Sequence, residues 1–360
     1  MQAKLNEAIA LIPSTSKKIL LITYTNKGVE ALKTEYSKQN CGVVDERADI
    51  KTWYQFLLAE MIKPYQSYIF KQENLVRSID FTSMYGKPNY KKRGTKEHYL
   101  NRHNDVLVNA ASELAVDCNT ISDGKVIKRL EKVYAHIFID EIQDIAGSDL
   151  DLLNLFLKSS ISVTCVGDYK QATFRTHNAK KNRKVTGVNI IDHFNDLERK
   201  GVLEMQYNKM SRRFNQEICD FSNTIFGDDN EIETTMVETC ENDGVYLLPA
   251  DVIEEYIAHY HPVILKYDIT TDTLGHISYN FGACKGMTFE RTLIFPNGVF
   301  LSFLKGKELN SPSKYYVAST RSKYSIGFVV DELFETTNFK ATEIEIGNKK
   351  IKVCKYSKGS

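Results

Sequence analysis

The sequence lacks a long apolar run, paired cysteines and an excess of charge of either sign. Its longest apolar stretches, such as the one inside KKILLITY at 17–24, fall far short of the roughly 20 residues that span a bilayer. The opening MQAKLNEAIALIP is polar and amphipathic, unlike a secretory signal. Together these absences predict a soluble, cytoplasmic protein with no membrane partner. The seven cysteines, at 41, 118, 165, 219, 240, 284 and 354, form no CxxC pair and no zinc-like spacing with histidine. A disulfide framework and a structural metal site are thereby excluded, and the residues read as reduced thiols. With 47 basic against 46 acidic residues and a net charge of +1, no global field draws the chain to a polyanion, so any such contact must be local.

What is present is an alternation of short apolar runs with helical patterns, in a chain whose 360 residues exceed one ordinary unit. ILLIT (19–23), CGVVD (41–45), HIFID (136–140) and VTCVGD (163–168) are predicted strands, each short and nearly all apolar. Strands of that kind are buried on both faces of a parallel sheet, whose ligands bind at the carboxyl ends. Between the second and third lies an insertion at about 60–130. Its stretch GKPNYKKRGTKEHYLNRH (86–103) holds six basic residues, one acid and two tyrosines. It reads either as a solvated loop or as a small subdomain leaning on nucleic acid. Beyond 200, DGVYLLP (243–249), HPVILKY (261–267), RTLIFP (291–296) and YSIGFVV (324–330) predict a second α/β domain, and TEIEIGNKKIKVCKY (342–356) predicts a hairpin turning at Gly347 and Asn348.

The sharpest chemical feature is HIFIDEIQD, 136–144. A buried strand ending in Asp140 and Glu141 puts two carboxylates at the sheet's rim, one able to hold Mg²⁺ and the other to orient or deprotonate a water. The same pair also suits a solvated helix N-terminus, where acids favour the dipole. Ser148 with Asp151 predicts a capping box opening the helix DLDLLNLFL. Trp53, the sole tryptophan, reads by itself as a partly buried core residue.

Further segments resemble, in order, the UvrD/Rep-type superfamily 1 helicases. LLITYTNKGVEAL (20–32) is similar to their TFTNKAA segment, IKTWYQFLL (50–58) to the following T-x-H-S-F, and IFIDEIQD to the DExQD box. VGDYKQATFRTHNA (166–179) resembles VGDxxQSIYxFRGA, and SRRFNQEICDFSNTIF (211–226) resembles NYRSxxxIxxxAN. FGACKGMTFERTLIF (281–295) is similar to HSAKGLEFDxV, and YYVASTRSKYSIGFVV (315–330) to LYVAxTRAKxxLxL. The resemblance implies a P-loop NTPase helicase core of two RecA-like α/β domains with parallel sheets. They would be residues 1–200 with the inserted subdomain and 201–338, followed by the hairpin at 339–360. ATP and Mg²⁺ are the implied cofactors, with the nucleotide between the domains and single-stranded DNA across them. Asp140 would coordinate Mg²⁺ and Glu141 would be the base for the hydrolytic water. Gln171 would sense the γ-phosphate, and Arg213 and Arg321 would act as arginine fingers. Thr23, Thr25, Asn26, Thr52 and Trp53 would meet DNA, Trp53 by stacking a base. Lys285 and Gly286 would form the loop that links DNA contact to the nucleotide.

Departures narrow this expectation. The family's GxGKT, whose backbone N–H groups cradle phosphates, does not occur in these 360 residues. Either the reading frame continues upstream of Met1, which the retained carboxylates, glutamine and arginines favour, or the chain lacks the loop. Gly282 stands where the family has His, and Thr288 where it has Glu. The expected function is an ATP-dependent DNA helicase or translocase, the alternative an ATPase-deficient DNA-binding or regulatory protein of that fold. Motors of this kind serve DNA repair, recombination and defence, so a nuclease or another repair or defence protein is a candidate partner.

Overall fold

The computed structural model describes residues 2–72, 74–85, 90–173 and 181–359. Residues 86–89 of the basic stretch and 174–179 of the VGDYKQ segment lie outside them. Two compact units emerge: Met1–Tyr169 with Phe174–Met205, and Lys170–Thr173 with Gln206–Ser360.

In the first unit, β1 (Lys18–Thr23), β2 (Ala48–Thr52), β3 (Tyr134–Ile139) and β4 (Ser162–Cys165) form a parallel sheet in the order β2-β1-β3-β4. The side chains of β1 alternate between two cores. Leu20 and Ile22 pack with Ile137 and the insertion, while Ile19 and Leu21 pack with Leu5, Leu32 and Tyr36 of the helices Gln2–Leu11 and Asn26–Gln39. Burial on both faces explains the unbroken apolar run. The expected strand at 41–45 is not one: Cys41 and Gly42 have positive φ and Val43 is exposed, so CGVVD is a turn. The strand comes at Ala48–Thr52, where residues 48, 50 and 52 alone are buried. An edge strand with one partner alternates, and a search for continuous apolar runs passes over it.

The insertion packs into the first unit's core through Tyr99, Leu100, Val106, Val108, Leu114 and Leu130. Its basic stretch is partly structural. Arg93 forks onto Asp117 and pairs with Glu113 at 3.1 Å, His98 meets Glu113 at 2.7 Å, and the hydroxyl of buried Tyr99 donates to Asp117. The predicted capping box at Ser148 does not form. Ser148 has helical dihedrals and caps nothing, because the next residue, Asp149, turns its carboxylate into the core.

In the second unit, β5 (Gly244–Pro249), β6 (Val263–Lys266), β7 (Tyr279–Asn280), β8 (Phe289–Phe295) and β9 (Ser322–Val330) are parallel, in the order β7-β6-β8-β9-β5. The hairpin of β10 (Phe339–Ile346) and β11 (Lys349–Tyr356) turns where expected, with Gly347 at φ +60°. It continues the second sheet, because β11 pairs antiparallel with β5. Helices cover both faces. Gln216–Phe226 and Ser313–Ser319 pack on one, through Phe221, Tyr316 and Val317, and Ile253–Tyr260 packs on the other through Tyr256. The mixed α/β class with parallel sheets is therefore present in both units. Among the described residues no helix is long and apolar enough to cross a membrane.

Candidate active site

At the carboxyl rim of the first sheet the ladder runs on past the strand ends. The Asp140 amide donates to the Ile22 carbonyl (2.8 Å), the Val166 amide to Ile139 (2.8 Å) and the Ile142 amide to Val166 (3.0 Å). The loops 140–144 and 166–168 are thereby held side by side. Glu141 sits at φ +55°, a left-handed conformation that costs an L-residue about 1–2 kcal/mol. Such strain persists where its surroundings hold it. Asp140 is partly buried, and that burial, reinforced by the charge of Glu141, raises its carboxyl above the ordinary carboxylate value.

Gln143, 1% exposed, links the two loops. Its Oε1 accepts from the Asp168 amide (3.1 Å) and its Nε2 donates to Glu141 Oε2 (2.5 Å). Gly167 makes room for it: a Cβ there would lie 2.3 Å from Gln143 Oε1. Sequence reasoning quoted both residues inside their segments without giving either a role. The available signal was a glutamine two positions after the carboxylate pair, with a glycine two positions past the end of the next strand.

A divalent cation suits this rim. A carboxylate whose ionised form is disfavoured by burial gains from a bound positive charge. No group of three His, Cys, Asp or Glu side chains suited to a metal occurs among the described residues.

The residues expected to meet DNA divide between surface and core. Thr25 and Asn26 are exposed, and Thr25 Oγ1 caps helix Asn26–Gln39 by accepting from the Gly28 amide (3.0 Å). Gly28 has no room for a Cβ, which would lie 2.6 Å from Thr23 Oγ1. Thr23 and Thr52, opposite each other in register, are buried. Thr52 forms a reciprocal capping box with Gln55, at 3.2 and 2.9 Å. This cap turns the next side chain inward, so Trp53 is 1% exposed among Tyr24, Phe56 and Phe156. Its indole N–H donates to Asp149 (3.0 Å). The base-stacking role expected of Trp53 is therefore corrected: its ring is core, as the residue read by itself.

In the second unit Gln171, Arg213 and Arg321 come together. Arg321, fully buried, donates to the carbonyls of Val317 (2.9 Å) and Met287 (3.3 Å), to Thr320 Oγ1 (2.9 Å) and to Gln171 Oε1 (3.2 Å). Partly exposed Arg213 reaches the Thr320 carbonyl at 3.5 Å. It is placed by Asn215, which caps helix Gln216–Phe226 and also donates to the Tyr324 carbonyl of β9 at 2.7 Å. Lys170, 2% exposed, anchors the short Gln171 segment through the Asp228 carboxylate and the Asn230 carbonyl, both at 2.7 Å. Lys285 is half-buried and Gly286, at φ +81°, is exposed, in the turn that brings the Met287 carbonyl to Arg321. The expected site residues thus form two groups, the carboxylates in one unit and the glutamine and arginines in the other.

The chain is of the α/β class with parallel sheets, and over residues 46–184 it matches the model of the UvrD/REP helicase N-terminal domain. That segment, which holds the carboxylate pair, is thus similar to the UvrD/REP helicase N-terminal domain. Among solved structures, the arterivirus nonstructural protein 10 helicase is similar at 14% identity, over 91% of this chain and 57% of that one, with a TM-score of 0.45. Its complex with DNA is similar at 12% identity, over 91% and 58%, with a TM-score of 0.45. The PRRSV helicase is similar at 13% identity, over 97% and 57%, with a TM-score of 0.42. The chain thus spans less than two thirds of each of these proteins. Comparison with curated proteins found no match.

Proposed function

We propose that the chain is the motor part of an ATP-dependent DNA helicase or translocase acting on single-stranded DNA. The observation that carries this is the Asp140–Glu141 pair at the carboxyl end of β3, strained at Glu141 and locked to the 166–168 loop, inside the segment that matches the helicase domain. Asp140 would hold Mg²⁺, which supplies charge neutralisation at the phosphates. Glu141 would orient the attacking water and take its proton, its carboxylate held by the Gln143 contact. Arg321 and Arg213 would stabilise charge developing on the transferred phosphoryl group. For Arg321 a phosphate oxygen would take the place of the Gln171 carbonyl, which makes Gln171 the residue released when nucleotide arrives. On the DNA side, exposed Thr25 and Asn26 remain the contacts of choice in the first unit, with Lys285 in the second.

The test is Mg²⁺-dependent ATP turnover, alone and with single-stranded DNA, by the chain and by a version extended upstream in its reading frame. Glu141→Gln and Arg321→Ala are each expected to lower kcat by about 100-fold or more, with circular dichroism as the control for folding. Turnover unaffected by both substitutions refutes the assignment. A second reading is an ATPase-deficient DNA-binding or regulatory protein of the same fold. It gains the case if both versions bind single-stranded DNA and neither turns over ATP.

A further inference from the structure

We propose that Gln143 is a positioning residue that sets the Glu141 carboxylate from the loop after β4, so that the two loops of the first sheet's rim act as one part. This rests on the ATPase reading above and adds a residue to it. The amide is held in one orientation by its partners. The Asp168 backbone N–H can only donate, so it must face Gln143 Oε1 (3.1 Å), and this leaves Nε2 as the donor to Glu141 Oε2. Flipping the amide would set N–H against N–H at one end and oxygen against carboxylate at the other, so both contacts would become repulsive. At 1% exposure Gln143 has little water to replace either contact. Glu141 needs such a hold because its backbone is at φ +55°, outside the wells an unassisted glutamate occupies.

Gly167 supplies an independent reason. No positive φ requires glycine at this position, and what forbids a side chain is crowding alone. An added Cβ would lie 2.3 Å from Gln143 Oε1 and 2.8 Å from Ile142 Cγ2. The glycine before Asp168 is therefore the space in which the Gln143 amide sits, and a methyl group at 167 would press first on Gln143 and next on Ile142, the neighbour of Glu141. Any event that shifts the 166–168 loop is transmitted to the Glu141 carboxylate by the same two hydrogen bonds.

The experiment uses the full chain with three substitutions, read by ATP kinetics and by hydrogen exchange of the peptide containing Asp168. Gln143→Glu keeps an acceptor for the Asp168 amide but turns the donor toward Glu141 into a second carboxylate. It is expected to leave exchange at Asp168 within about 2-fold while kcat falls roughly 10- to 100-fold and the KM for ATP changes little, as removing one arm of a general base demands. Gln143→Ala should lose both the exchange protection and kcat, and Gly167→Ala should resemble it. In a Glu141→Gln background Gln143→Glu should have no further effect on the residual rate, because it acts through Glu141. A kcat for Gln143→Glu within 2-fold of the unsubstituted chain, or an undiminished loss in the Glu141→Gln background, overturns the proposal alone. Absence of turnover both by the unsubstituted chain and by the version extended upstream overturns the ATPase reading and this one with it.

Discussion

Replacing Asp149 by alanine tests how the first unit's core is held together. Its carboxylate, wholly buried, accepts from the Trp53 indole N–H at 3.0 Å, from the Ser112 hydroxyl, and more weakly from the Ala146 amide at 3.4 Å. Alanine leaves the indole N–H, in a side chain 1% exposed, and the Ser112 hydroxyl, in one 2% exposed, without this acceptor. A buried donor left unsatisfied costs about 1–3 kcal/mol. The hydroxyl can rotate toward another acceptor whereas the indole cannot, and removing a buried carboxylate returns part of its desolvation cost. The net loss should be about 2–4 kcal/mol. Asparagine, which keeps one neutral acceptor, should cost about 1 kcal/mol, the difference between a charge-assisted and a neutral hydrogen bond. The assay is urea unfolding followed by tryptophan emission. Trp53 is the only tryptophan and lies in the first unit, so its emission reports that unit without contribution from the other. An alanine variant that unfolds within about 1 kcal/mol of the parent, at the same midpoint, would refute the reasoning, as would an asparagine variant that loses as much as alanine.

Three further outcomes follow from the structure. Gly286→Ala meets open space but a φ of +81°, so it should destabilise the second unit by about 1–2 kcal/mol. Far-UV circular dichroism during urea unfolding measures this, and an unchanged curve would contradict the backbone conformation. Burial pushes the thiols of Cys118 and Cys165 up to about 12, with Asp117 adding at Cys118. A folded pKa above the unfolded one is stabilising below the unfolded value and that stability is lost as pH rises. Unfolding free energy should therefore fall from about pH 8.5, the free thiol value, toward pH 12. In the native state at pH 8, exposed Cys41 should react with a thiol reagent first. Cys240, also exposed, should lag, because partial burial and a hydrogen bond to Asp243 push its thiol up to about 11. Rapid labelling of buried Cys118 would show the core open.

The sequence was most legible where a strand is buried on both faces. ILLIT and HIFID need no tertiary context to read as strands, because an apolar run of that length has no other economical home. It was least legible where the deciding contact is distant in sequence. Asp149 turns inward to meet Trp53 and Ser112, residues 96 and 37 positions away, so the local capping pattern at Ser148 was overridden. The edge strand at Ala48–Thr52 hides because only alternate positions are buried, while nearby CGVVD has the composition of a strand and the dihedrals of a turn. The carboxylates were visible as a motif. The hold on them was not, since the link from Gln143 to Asp168 joins two loops 25 residues apart. Trp53 shows the converse: the family segment suggested a surface ring, whereas the bland reading of a lone tryptophan as core was correct.

The second sheet also dictates an order of events in time. Strand β5, at Gly244–Pro249, finds its two neighbours in β9, at Ser322–Val330, and β11, at Lys349–Tyr356. Both are made long after it on the ribosome. Until they emerge, Tyr246, Leu247 and Leu248, all buried in the finished unit, have no strand to lie against, and an unpaired apolar edge is where misassembly begins. The first unit's sheet, by contrast, has all its strands by Cys165. Synthesis of this chain should therefore pass through a stage with the first sheet formed and the second waiting, in which the nascent chain is most in need of a chaperone.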